Sequence, residues 1–135
     1  MINIENELFT KVATALRTAY SGIYVTNEYV SQPPRFPAVF IVEQDNAVNR
    51  AYRDSSCIEN FSDVMYQVDV YSNRNQGRHA EAKGIMAAVD DQFAALGFTR
   101  TFLSPVPNMH DATIYRMTAR YTATVGKNEY IYNRR

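Results

Sequence analysis

The chain has 135 residues, 46% of them hydrophobic and 21% charged, and its 14 Lys/Arg balance its 14 Asp/Glu. This composition excludes general disorder, and the length suits one domain that can bury about two-thirds of its unfolded surface without a staple. Zero net charge removes any whole-molecule field toward nucleic acid or membrane, and a lone Cys57 excludes an intrachain disulfide and suits a reducing cytosol.

Asn3 is a candidate cap for a first helix, whose apolar stripe is Ile4, Leu8, Val12, Ala15, Leu16 and Ala19. Glu5 and Glu7 suit the positive end of its dipole, and Glu7 precedes Lys11 in the favourable i, i+4 order. Gly22 ends the segment, and Ile23 to Val30 reads as a strand. Pro33, Pro34 and Pro37 force an extended crossing. Ala38 to Val42 is apolar on both faces. Such a strand is covered on both sides, or by a helix on one side and a partner on the other. Asp45 to Asp63 has no clear period and reads as an extended hairpin arm, with Tyr52 and Ile58 as its few apolar points.

The centre of the chain is Val64 to Phe98. Val64, Tyr66, Val68 and Val70 alternate with Met65, Gln67, Asp69 and Tyr71, the period of a half-buried strand. Asn73 and Gln76 then offer a capping pair for a long helix. Its stripe is Ala82, Ile85, Met86, Val89, Phe93 and Leu96. Gly97 stands where a left-handed residue stops that helix, and Phe98 is placed to cover Phe93. Phe98 to Leu103 is a short strand in which Phe98, Arg100 and Phe102 share a side. After a proline turn, Tyr115, Met117, Ala119, Tyr121, Ala123 and Val125 face inward, while Arg116, Thr118, Arg120, Thr122 and Thr124 face outward. The order α-β-β-β-α-β-β predicts a two-layer α+β domain. Its sheet is mainly antiparallel, with four to five strands and two helices on one face. The domain spans 1–127, with an arm protruding at 45–63 and a tail at 128–135.

No catalytic motif emerges. The five glycines form no phosphate loop, and His79 and His110 lack metal-ligand spacing. Asp90 and Asp91 are adjacent on a helix and point apart. Cys57 has no activating partner. The opening Met1-Ile2-Asn3-Ile4-Glu5 lacks the regions of a signal peptide, and no apolar run spans a bilayer. We therefore expect no enzyme activity, no cofactor, no metal and no membrane partner. Arg116 and Arg120 share one strand face, which Arg100 can join. That face suits phosphate contact, a solvated surface or a protein interface. Residues 1–110 carry nine Lys/Arg against twelve Asp/Glu, and residues 111–135 carry five against two. The basic end can meet an acidic partner or another copy's acidic surface, or simply be a solvated tail.

Several local patterns resemble the tail terminator (tail completion, head–tail joining) proteins of long-tailed bacteriophages. They are Phe36-Pro37-Ala38-Val39-Phe40-Ile41-Val42, the strand Tyr66-Gln67-Val68-Asp69-Val70-Tyr71-Ser72, and the helix end Leu96-Gly97-Phe98-Thr99-Arg100. Asp111-Ala112-Thr113-Ile114-Tyr115-Arg116, followed by Arg120-Tyr121, is similar too. The resemblance covers most of residues 4–125. It implies a virion protein, assembled in the host cytoplasm, whose hexameric ring caps the tail tube and stops its polymerisation. It also implies a surface for the head connector and DNA passing through without sequence-specific binding. Alternatives are a head-completion or stopper protein of the neck, or a small nucleic-acid- or ligand-binding module. Candidate subunit or partner contacts are Arg50, Tyr52, Arg53, Arg100, Arg116 and Arg120. On this view, reversing charge at Arg116 and Arg120 together leaves folding intact and releases tail length.

Overall fold

The computed structural model describes residues 3–28, 33–48, 61–106 and 113–126. The elements are α1 (Glu5–Ala19), β1 (Tyr24–Thr26), β2 (Ala38–Val48), β3 (Phe61–Ser72), α2 (Arg78–Ala95), β4 (Thr99–Pro105) and β5 (Tyr115–Gly126). The fold is α+β, in the predicted order of elements. The five strands form one sheet in the order β1-β2-β3-β5-β4. Every strand pair is antiparallel except β1 with β2, which are parallel. Among the described residues no helix is long and apolar enough to cross a membrane.

Both helices pack on one face of the sheet. From α1, Leu8, Val12, Ala13 and Leu16 are buried, so Ala13 joins the expected stripe while Ala19 stays exposed. Glu7 and Lys11 pair at 3.1 Å as their spacing implies. From the sheet come Val39, Ile41, the alternating Val64 to Val70 set, and the inward residues of β5. The centre is aromatic. Phe93 of α2 stacks on Tyr121 at 4.3 Å and 12°, and Phe98 meets Phe93 edge-on at 5.2 Å. Tyr66 closes the group against Phe98 at 5.8 Å.

The two helix starts differ from expectation. Asn3 Oδ1 accepts the Glu5 amide at 3.0 Å, one residue ahead of the α1 N-cap. Neither Asn73 nor Gln76 caps α2. The chain swings in through left-handed Gly77, whose position has no side-chain cap. Glu81 instead anchors the first turn, accepting from Ser72 Oγ at 2.6 Å. The stop at Gly97 follows the expected design: φ is 89°, Phe98 N–H donates to Phe93 O at 2.9 Å, and Gly97 N–H to Ala94 O at 3.0 Å. Gly97→Ala forces a side chain into the left-handed region. It is expected to lower stability by about 1 kcal/mol, read as a lower midpoint in denaturant.

Two bulges set what each face carries. Between Glu43 and Asp45 the β2 register slips, so Glu43 lies toward the helices and Asp45 on the open face. Between Arg100 and Phe102 the β4 register slips in the same way. The predicted arm needs correction at both ends: Asp45 to Val48 and Phe61 to Asp63 are paired strand, and Ser62 is buried. The rest of that arm lies outside the described residues. So do Arg50, Tyr52, Arg53, Cys57, His110 and residues 127–135.

Candidate functional site: the open face of the sheet

The face away from the helices is where the polar residues of β3 and β5 converge. Asp69 is 7% exposed, although aspartate is disfavoured within strands. Its carboxylate is held on every side. Arg116 Nε and Nη2 both reach Asp69 Oδ1 at 3.1 Å. Thr118 Oγ1 donates to the same oxygen, and Gln67 Nε2 donates to Oδ2 at 3.1 Å. Gln67 Oε1 in turn accepts from Arg120 Nε at 3.2 Å. The chemistry follows from β3–β5 pairing, which sets Asp69 opposite Thr118 and Gln67 opposite Arg120.

Aromatic rings frame this network. The Arg116 guanidinium lies 5.7 Å from the Tyr71 ring centre, and Tyr71 meets Phe40 at 5.3 Å. Arg120 lies 5.1 Å from the centre of the Phe102 ring. Phe40 is buried on this face, so the second apolar side of Ala38–Val42 is covered in part by the chain's own Tyr71.

The structure brings Arg116 and Arg120 together but separates Arg100 from them. Arg100 shares the side of inward Phe98 and pairs with inward Tyr121, so it lies on the helix side, where Nη1 meets Asp90 Oδ1 at 3.0 Å, and the β4 bulge after it turns Phe102 to the open face. Simple alternation from Phe98 to Phe102 cannot anticipate that slip. The expectation that both arginines can be reversed without harm to folding also changes. Arg120 is exposed, but Arg116 neutralises a buried carboxylate. Sequence inspection missed Asp69, Gln67, Tyr71 and Phe102 as members of the site. The available signal was a carboxylate set between the apolar Val68 and Val70.

On the helix side, two buried tyrosines hold carboxylates. Tyr66 Oη donates to Glu43 Oε2 at 2.6 Å and Tyr121 Oη to Asp90 Oδ1 at 3.0 Å. Burial first, then the hydrogen bond to a carboxylate, pushes both phenols well above their ordinary value of 10.0. The protonated form is therefore favoured by folding. That contribution is complete below about pH 10 and is lost as pH rises beyond it, because unfolding then releases protons. An alkaline spectrophotometric titration should show Tyr66 and Tyr121 ionising only as the protein unfolds. Ionisation of all ten tyrosines in one step with the fold retained would contradict this.

The two edges of the sheet are unlike. At β1 the backbone is guarded: Arg17 Nη2 donates to Val25 O at 3.5 Å, and Arg35 Nε to Gly22 O at 2.9 Å. At β4 no strand lies outside among the described residues, and Phe102 and Leu103 are 39% and 40% exposed. No protein-family model matches the chain, and no curated protein matches it in sequence.

Proposed function

We propose that this chain is a structural subunit of a long-tailed bacteriophage. In this reading it forms a hexameric ring on the finished tail tube, ends tube growth and meets the head connector. Its residue-level basis is the similarity of Phe36–Val42, Tyr66–Ser72, Leu96–Arg100, Asp111–Arg116 and Arg120-Tyr121 to tail terminators. The structural observation that favours it over a nucleic-acid module is the state of the open face. Arg116 is bound to Asp69, while Arg120 is engaged by Gln67 and lies over Phe102. With the charge of Arg116 already met by Asp69, exposed Arg120 is the one cation of this pair left for a phosphate, which is a thin basis for nucleic-acid binding, whereas a largely satisfied polar face suits a protein partner. DNA is then the ring's passenger and not its ligand.

The test is to add the purified chain to polymerising tail tube protein from the same genome and measure tube lengths by electron microscopy. We expect shorter tubes with a ring at one end. An unchanged length distribution with bare ends overturns the reading. A ring that binds the portal side and ignores tubes replaces it with a neck stopper.

A further inference from the structure

Strand β4 is the least covered strand of the sheet. Every residue from Thr99 to Leu103 is exposed, whereas each of the other strands buries at least one residue. Phe102 lies on the open face opposite Arg120, and Leu103 on the helix face opposite Ala119. No other large apolar side chain is so exposed among the described residues. Natural sheets blunt such an edge with charge, with proline or with a covering segment. Here Pro105 blunts only the last position, and the charge of Arg100 is turned to Asp90. The arginines that engage the β1 backbone at the other edge have no counterpart. Arg120 reaches across from β5 and lies over the Phe102 ring. Its Nε is bonded to the neutral Gln67 amide, its two Nη groups meet no acceptor, and no carboxylate is paired with it among the described residues. A bare apolar edge and an uncompensated cation therefore stand side by side.

From this we infer that the outer edge of β4 receives an extended segment of a different protein, with a carboxylate side chain that meets Arg120 on the open face and an adjacent apolar side chain that packs on Leu103 on the helix face. An added strand satisfies the bare N–H and C=O groups of the edge, and its alternate side chains supply specificity. Side chains directly opposite across a strand pair lie about 5 Å apart, so the residue opposite Phe102 stands beside the guanidinium above that ring. Charge complementarity selects an acid there, since a lysine or arginine would face a cation that nothing else neutralises. The segment is not an edge strand of a second copy. The two edge strands of the described sheet, Tyr24–Thr26 and Thr99–Pro105, carry no Asp or Glu. Pairing of β4 with β4 of another copy would also set two Arg120 side chains along one seam. The inference uses only the β4 edge and Arg120 and does not rest on the tail reading, so each can fail alone.

The experiment measures the fluorescence anisotropy of labelled peptides as long as β4, 7 residues, titrated with the full chain. In the first peptide glutamate alternates with valine. The controls replace every glutamate by lysine, or every valine by serine. The glutamate–valine peptide should bind saturably and about tenfold or more tightly than either control. Arg120→Glu is an exposed change that should keep the fold, checked by far-UV circular dichroism, and it should reverse the preference between the glutamate and lysine peptides. Leu103→Asp should remove binding of the glutamate–valine peptide. No saturable binding of that peptide, equal binding of the glutamate and lysine peptides, or an unreversed preference in Arg120→Glu overturns the inference. Sedimentation velocity of the chain alone tests the other occupant: self-association that Leu103→Asp abolishes means that a second copy fills the edge, and the inference falls.

Discussion

Phe93→Ala is expected to lower stability by about 4 kcal/mol, the largest loss we anticipate from one truncation. Phe93 is fully buried and touches three other rings: it stacks on Tyr121, meets Phe98 edge-on and lies 6.4 Å from Tyr66. These contacts join α2 to β3, to β5 and to the residue leading into β4, so little nearby can collapse into the space. Part of the loss is the helix stop itself, since Phe98 closes over Phe93 through the same turn that Gly97 makes. Phe93→Leu keeps much of the volume and should lose about half as much. Equilibrium denaturation with circular dichroism gives both values. A loss under about 1.5 kcal/mol for Phe93→Ala would show that the ring cluster is not the packing centre described.

The second large effect separates two arginines that look equivalent in sequence. Arg116→Glu should destabilise by about 3 kcal/mol, because it places a carboxylate against buried Asp69 and removes the guanidinium from Tyr71. Arg120→Glu should change stability by no more than about 0.5 kcal/mol, since its side chain is exposed and its partner is a neutral amide. Asp69→Asn should partly rescue Arg116→Glu by removing the like-charge contact. On the reading proposed above, tail-length assays on an Arg116 and Arg120 double reversal would therefore mix loss of fold with loss of contact, and Arg120→Glu alone is the clean probe of surface function. Equal stability losses from the two single variants would refute the distinction.

The large features were legible because they rest on strong periodicities. Tyr115 to Val125 alternates without interruption, and the structure places its two sets on the two faces expected. Gly97 and Phe98 were legible because only one backbone geometry suits glycine followed by an aromatic after an apolar helical stripe. The start of α2 was not, because Asn73 and Gln76 satisfy a capping pattern that Gly77 makes unnecessary. Arg100 was grouped with the outward arginines although its alternation with Phe98 sets it inward, and Phe102 was misplaced for a different reason. A bulge inserts one residue and inverts every side after it, and Thr-Arg-Thr carries no glycine to announce one. The candidate face was half visible: Arg116 and Arg120 follow from alternation alone. Their partners Asp69 and Gln67 lie roughly fifty positions away in the chain, and only the β3–β5 register brings them opposite.

The central position of β3 has a kinetic consequence. Its neighbour on one side, β2, immediately precedes it, but its neighbour on the other side is the last strand of the sheet. The Asp69–Thr118 contact spans a separation of 49 residues. The β2–β3 hairpin can therefore zip early, whereas the β3–β5 ladder must wait for α2 and β4 to be made and for a long loop to close. During synthesis, one edge of β3 stays bare until nearly all of the described chain has left the ribosome. Slow emergence of β5 leaves nascent chains open to mispairing through β3, so aggregation during expression should respond more to changes in β5 than to equally destabilising changes in α1.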